Sequence, residues 1–202
     1  MQKPRLVLAG AHSGAGKTSI SAGIMAALVQ RGLTVQPYKV GPDYIDPAFH
    51  TFVAKRRSRN LDSWMLDEPT IRSLFVRNAP EPGEGLSVIE GVMGLFDGHI
   101  QEKTGSTAHV AGLLSAPIVL IINGSGVSRR AAALVHGVDH FSHDTRIAGV
   151  IVNRVSGQSH YEWVKDFIEK EAGVPCFGYV ANNTELVVER RHRGVVHRGE
   201  CE

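Results

Sequence analysis

Long apolar runs are missing from this 202-residue chain: none approaches the roughly 18 residues that a membrane-spanning helix needs. The N-terminus enters an apolar segment at Leu6, which leaves no room for a secretion signal, and the expectation is a soluble, unexported, cytoplasmic protein with no membrane partner. Cysteine is nearly absent. Cys176 and Cys201 lie outside any CxxC spacing, which excludes a disulfide framework or a zinc site and fits a reducing compartment. An excess of charge of one sign is also lacking: 22 Lys and Arg against 20 Asp and Glu give a net charge of +2, so no basic field argues for nucleic acid. No internal repeat is visible, and His99, His109, His136, His140, His143, His160 and His197 show no metal-ligand spacing with acidic partners. The length suits a single domain spanning 1–202.

What is present is glycine in a telling place. The run Arg5-Leu6-Val7-Leu8-Ala9-Gly10-Ala11-His12-Ser13-Gly14-Ala15-Gly16-Lys17-Thr18 passes from an apolar strand through a glycine-rich turn into a helix. Backbone N–H groups of Ser13, Gly14, Ala15 and Gly16 in such a turn point at phosphate oxygens, and the helix adds its positive N-terminal end. Lys17 then reaches the β- and γ-phosphates and Thr18 offers its hydroxyl to Mg2+, so the expected ligand is ATP with magnesium. Ala11 stands where the common GxxxxGK[ST] pattern has glycine. A bland glycine turn is the competing reading, countered by the flanking strand and helix.

Val- and Ile-rich segments at 6–9, 34–40, 87–90, 117–122, 147–152 and 176–180 alternate with longer segments of helical spacing. That rhythm predicts an α/β fold, a P-loop NTPase-like parallel sheet with helices on both faces. The first helix carries Ile20, Ile24, Ala27 and Leu28 on one stripe and stops at Gly32; further helical regions are expected over 61–78, 129–140 and 161–172. Trp64 and Trp163 fall in these helical segments and are read as packing residues. Residues 78–86, with Pro80, Pro82, Gly83 and Gly85, read as a surface loop, and the basic run at 189–193 as a solvated tail or a substrate-facing segment.

Ligands of open α/β sheets gather at the C-terminal ends of the strands. Glu90 ends the strand Ser87-Val88-Ile89-Glu90 and is expected to meet the magnesium, the alternative being an incidental cap. The second strand ends in Tyr38-Lys39-Val40-Gly41-Pro42-Asp43-Tyr44-Ile45-Asp46-Pro47, a dense polar set on what reads as a stiff proline-bearing loop. There Lys39 can neutralise a transferring phosphoryl group, Asp43 can be a second magnesium carboxylate and Asp46 an acceptor-site group; an Asx-turn at either aspartate is the plainer account. Asp97, in Phe96-Asp97-Gly98, either orients an acceptor or makes an ordinary Asp-Gly turn, and Asn153 either reads a purine edge or fills a buried turn.

Taken in order, AHSGAGKTSI, KVGPDYIDPAFH, NLDSWML and VIEGVMGLFDG closely resemble the ATP-binding domain of the cobyrinate a,c-diamide synthase family, whose broader relatives are cobyric acid synthase and dethiobiotin synthetase. The resemblance spans most of the chain and is most specific in the second and fourth segments. It implies an amidoligase that activates the a- and c-acetate carboxylates of a cobyrinate-type tetrapyrrole with ATP, as acyl phosphates, and converts them to amides with ammonia from a glutaminase domain, in cobalamin biosynthesis. Under it Tyr44, Asp46, His50 and Asp97 face the acceptor, Gly16, Lys17 and Thr18 hold phosphates and magnesium, Asp43 and Glu90 complete the metal shell, Lys39 steadies the phosphoryl group and Asn153 reads adenine.

Two departures accompany the resemblance: Asn123 stands where the family usually has aspartate, and no glutaminase domain follows the segment ERRHRGVVHRGE. The expectation is therefore a synthetase domain alone, dependent on free ammonia or on a partner that supplies it. The same residues leave a,c-diamidation of nickel-sirohydrochlorin open, because the central metal lies far from the acetates. A partitioning-type ATPase switch is disfavoured by His12, which occupies the place of that class's second lysine. A homodimer is compatible with the sequence but not forced by it.

Overall fold

Each Val- and Ile-rich segment forms a strand, and the strands join one sheet in a computed structural model that describes residues 3–99 and 103–183. The elements run β1 (Arg5–Gly10), α1 (Lys17–Gln30), β2 (Thr34–Val40), α2 (Ile45–Ala54), β3 (Arg59–Leu61), α3 (Glu68–Asn78), β4 (Gly85–Gly94), α4 (Thr107–Leu114), β5 (Ile118–Asn123), α5 (Arg130–His140), β6 (Ile147–Val155), α6 (Gln158–Phe167) and β7 (Cys176–Ala181). A single π-helical turn, Ile168–Ala172, extends α6. The seven strands lie in the order β3-β2-β4-β1-β5-β6-β7, and every neighbouring pair is parallel.

Strand side chains alternate between faces, and the two faces hold separate cores. Val7 and Ala9 of β1, Ile89 of β4 and Leu120 of β5 pack with Ile71 and Phe75 of α3, Val110 of α4, Val135 of α5 and Val164 of α6. Their neighbours Leu8, Val88 and Ile121 point the other way, against Ile20 and Met25 of α1 and Ala54 of α2. Helices thus cover both faces, and strands buried on two sides read as continuous apolar runs, as they do here.

Three expectations are corrected. The segment after Pro42 is helical from Ile45: Pro47 falls in the first turn, where a backbone N–H has no intrahelical partner to lose. The region from residue 61 opens as the edge strand β3 and a turn rather than a helix, because Asp62 Oδ1 accepts from Trp64 N at 2.9 Å and Met65 N at 3.3 Å; the helix waits for Asp67, which caps Thr70 N. Trp64 consequently sits in a turn and is 59% exposed, and Trp163 on α6 is also exposed, so neither is a packing residue. Helix α4 was not anticipated, although Ser106 accepts from His109 N as an ordinary N-cap. The basic run at 189–193 and Cys201 lie outside the described residues.

Phe75 and Tyr38 lock α3 to the sheet, their rings 5.2 Å apart and the Tyr38 hydroxyl donating to Phe75 O at 2.8 Å. Phe75→Ala is expected to cost about 3–5 kcal/mol, read as a lowered urea midpoint with an unchanged slope.

Candidate functional site

Helix α1 begins in a way that suits an anion. Gly16 sits at its N-cap with φ 97°, no side chain caps the first turn and no acidic residue lies in it, unlike α3 and α4 with their Asp67 and Ser106 caps. A helix start with no side-chain cap and no acidic residue suits an anion. A Cβ on Gly16 would stand 2.1 Å from Asn153 Nδ2, and that same nitrogen donates to Ala15 O at 2.8 Å. Asn153 therefore braces the phosphate loop from β6. Lys17 is buried and donates to the Met93 carbonyl at the end of β4. Burial, and then the neighbouring Lys39 cation, lower its pKa against the opposing pull of Glu90, Asp46 and Asp97.

Glu90 and Lys39 are register partners on adjacent strands, β4 and β2, and share the face covered by α1 and α2. Glu90 has no exposed surface. A bare carboxylate there would be very costly, and each of its oxygens is met: Oε1 accepts from Thr18 Oγ1 at 2.9 Å and Lys39 Nζ at 3.0 Å, and Oε2 lies 2.6 Å from His50 Nε2. A carboxylate oxygen only accepts, which puts a proton on Nε2 of His50. Burial pushes the Glu90 pKa upward, but His50 and Lys39 outweigh it and hold the group below the ordinary carboxylate range. For Lys39, burial works against the cation and the two carboxylates Glu90 and Asp46 more than restore it, so its pKa is raised. Burial raises the pKa of Asp46, against the opposing pull of Lys39.

The structure brings most of the expected residues together, with altered tasks. An ammonium carries three N–H donors, and those of Lys39 go to Glu90, to Asp46 Oδ2 at 2.9 Å and to Gly91 O at 2.9 Å. It reaches a phosphoryl group only by releasing one of them. His50, expected to face the acceptor, is instead fully enclosed against Glu90, because α2 turns that position inward. Asp43 Oδ1 caps α2, accepting from Ile45 N at 2.8 Å and Asp46 N at 3.3 Å, the Asx-turn alternative. Asp46 is buried with Lys39, whereas Tyr44 is 74% exposed beside it. Asp97 is exposed and its Oδ2 accepts from Gly94 N at 2.9 Å, which keeps it at the mouth of the same strand end.

Two contributors were missed. The Met93 carbonyl carries no side-chain signal at all. Thr107, 0% exposed, braces the end of β4 by exchanging hydrogen bonds with Val92 N and O at 2.9 and 3.1 Å, and a Cβ on Gly91 would meet its Oγ1 at 2.6 Å. Among the described residues no group of three or more His, Cys, Asp or Glu could hold a metal ion. Glu90, enclosed and with both oxygens engaged, has none to give an ion directly, so the expected metal contact falls to the Thr18 hydroxyl beside the phosphate loop, which fits a magnesium held largely by phosphate and water. No helix among the described residues is long and apolar enough to cross a membrane.

Lys39→Met would leave Glu90 and Asp46 buried without their shared cation, at a cost of about 3–5 kcal/mol. In urea unfolding, Lys39→Met combined with Glu90→Gln is expected to lose clearly less than the sum of the two single changes; additivity would mean that the pair is not coupled.

The profile described as "CobQ/CobB/MinD/ParA nucleotide binding domain" matches residues 6–195. Curated relatives named cobyrinate a,c-diamide synthase include those of Thermoplasma acidophilum, 46% identical over 100% of this chain and 45% of its own length, and Priestia megaterium, 44% identical over 99% and 44%. That of Streptococcus sanguinis is 47% identical over 95% of this chain and 42% of its own length. The chain thus spans somewhat under half the length of these relatives. Among solved structures, chloroplast FtsY from Physcomitrella patens superposes with a TM-score of 0.62 at 18% identity over 91% of this chain and 60% of that one. The signal recognition particle 54 kDa protein from Aeropyrum pernix, in complex with GDP, gives 0.62 at 17% identity over 91% and 42%. At that identity they share the fold alone.

Proposed function

The chain belongs to the CobQ/CobB/MinD/ParA nucleotide binding domain family, and from that premise we propose that it is the ATP-dependent synthetase part of an amidoligase acting on a cobyrinate-type tetrapyrrole. The names of its curated relatives, at 44–47% identity over nearly all of this chain, support the a- and c-acetate carboxylates as acceptors. The observation that carries the reading is the hydrogen bond from Thr18 to Glu90, which ties the phosphate loop directly to the cluster built by the Lys39 and Asp46 segment.

A carboxylate resists attack by ammonia because its oxygen is a poor leaving group. An acceptor carboxylate oxygen bonds to the γ-phosphorus of ATP as the bond to ADP breaks; ammonia then adds to the acyl carbon, phosphate departs, and the nitrogen gives up a proton. The phosphate loop and the open end of α1 hold the polyphosphate, and Lys17 exchanges the Met93 carbonyl for a phosphate oxygen. Magnesium, when bound, neutralises phosphate charge. With its hydroxyl hydrogen bonded to Glu90, Thr18 would have its oxygen lone pairs left for the ion, so the buried Glu90 would act by orienting Thr18. Lys39 and His50 keep that carboxylate ionised and oriented. Asp97 and Tyr44, both exposed at the strand ends, meet the acceptor. Ammonia comes from solution or from a glutaminase domain or partner.

ADP release is measured with MgATP, ammonium and either cobyrinic acid or nickel-sirohydrochlorin. Acceptor-dependent release is expected with cobyrinic acid; release that ignores both acceptors means a switch-type ATPase, and none in any arm overturns the reading. Lys17→Ala and Glu90→Gln should each lower kcat at least about 100-fold, with melting curves confirming the fold. Asp97→Asn should raise KM for the acceptor several-fold and leave KM for ATP unchanged; a parallel rise in both would contradict its acceptor-side place.

A further inference from the structure

Beside the polar cluster lies a cavity of about 260 Å³ whose walls include Gly41, Asp62, Trp64, Met65, Met93 and His99. Its position is set by the same elements. Gly41 follows β2 two residues after Lys39, and Met93 is the residue whose carbonyl receives Lys17. The cavity therefore opens between the segment carrying Asp43 and Tyr44 and the end of β4.

Its chemistry differs from that of the cluster. Trp64, Met65 and Met93 are 59%, 71% and 45% exposed, a concentration of large apolar side chains around one hollow. The Trp64 indole stacks on the His99 imidazole with centroids 4.2 Å apart and planes 15° apart, which makes a flat platform. Met93 holds φ 44°, an uncommon conformation for a residue with a side chain, which places it at the cavity wall. The most pointed observation is Asp62. Its residue is 6% exposed, Oδ1 is spent on the turn, and Oδ2 is buried with no hydrogen-bond partner among the described residues. An acceptor left in that state is costly, is satisfied by an N–H, and repels a carboxylate.

We infer that this cavity is the acceptor's ring subsite: it takes an apolar or amide-bearing edge of the tetrapyrrole macrocycle, stacked on Trp64, while the carboxylates are turned away by Asp62 toward Lys17. This rests on the proposed amidoligase function and adds the surface that recognises the ring. The volume is below the usual range for a whole drug-sized ligand, about 300–1,000 Å³, so one edge enters and the remainder stays outside. Stacking on an aromatic side chain is worth about tenfold or more in affinity, and little else at Trp64 supplies it, since the side chain is mostly exposed.

Equilibrium dialysis of the full chain with cobyrinic acid, with and without MgATP, is run beside the ADP-release assay. Trp64→Ala should weaken cobyrinic acid binding about tenfold or more and raise its KM in step, with ATP binding and the melting temperature unchanged; Trp64→Phe should stay within about threefold of the parent. Parent-like cobyrinic acid binding by Trp64→Ala overturns the subsite and leaves the function standing. Weakened ATP binding instead would assign the platform to the adenine ring and likewise overturn it. Neither binding nor ADP release by the parent chain removes the function and the subsite together.

Discussion

A carboxylate with no exposed surface sits within β4, an interior strand of the sheet, and the site is organised around keeping it ionised. Glu90 draws one partner from each surrounding element: Lys39 from β2, His50 from α2 and Thr18 from α1. None of these contacts is local in sequence. Each exists because the sheet brings strand ends together and because α1 and α2 cover the same face. The cluster is costly to bury and strongly destabilised by the loss of a single member, so it fixes the relative placement of the phosphate loop and the segment after β2. Both segments bear on the same small volume, as the proposed phosphoryl transfer would require.

The strand order explains why that volume lies where it does. β1 runs between β4 and β5, and the chain leaves it toward β2 on one side before returning to build the other. Loops at such a reversal part from one another and leave a crevice at the C-terminal edge. The phosphate loop follows β1, and the residues after β4 form the neighbouring wall. Thr107 reinforces that wall by clasping both backbone groups of Val92.

Much of this was legible beforehand. The apolar strands, the glycine turn before Lys17 and the stop at Gly32 follow from periodicity and turn chemistry, and they located the sheet and α1 correctly. Lys39 and Thr18 were recognisable as strand-end and loop-end polar residues, whereas Glu90, expected to end its strand, lies inside β4, which runs on to Gly94. What escaped was tertiary. Pro47 suggested a loop because its tolerance in a first helical turn depends on where the helix starts, and Asp43 sets that start. The three donors of Lys39 could not be allotted without the positions of Asp46 and Gly91. His50 looked like a ligand contact until helix α2 turned it inward. Trp64 looked like a helical core residue, because nothing in its neighbourhood distinguishes a buried stripe from a turn closed by Asp62.

The bond between Lys17 and the Met93 carbonyl has a consequence for how the two halves of the site communicate. A lysine already anchored loses little motional freedom when it exchanges one oxygen for another, so the loop is preordered for its ligand. The carbonyl it abandons belongs to the residue that also forms part of the neighbouring hollow. Under the proposed exchange of this carbonyl for a phosphate oxygen, a peptide unit that lines the hollow would lose its lysine partner when the phosphate loop is filled.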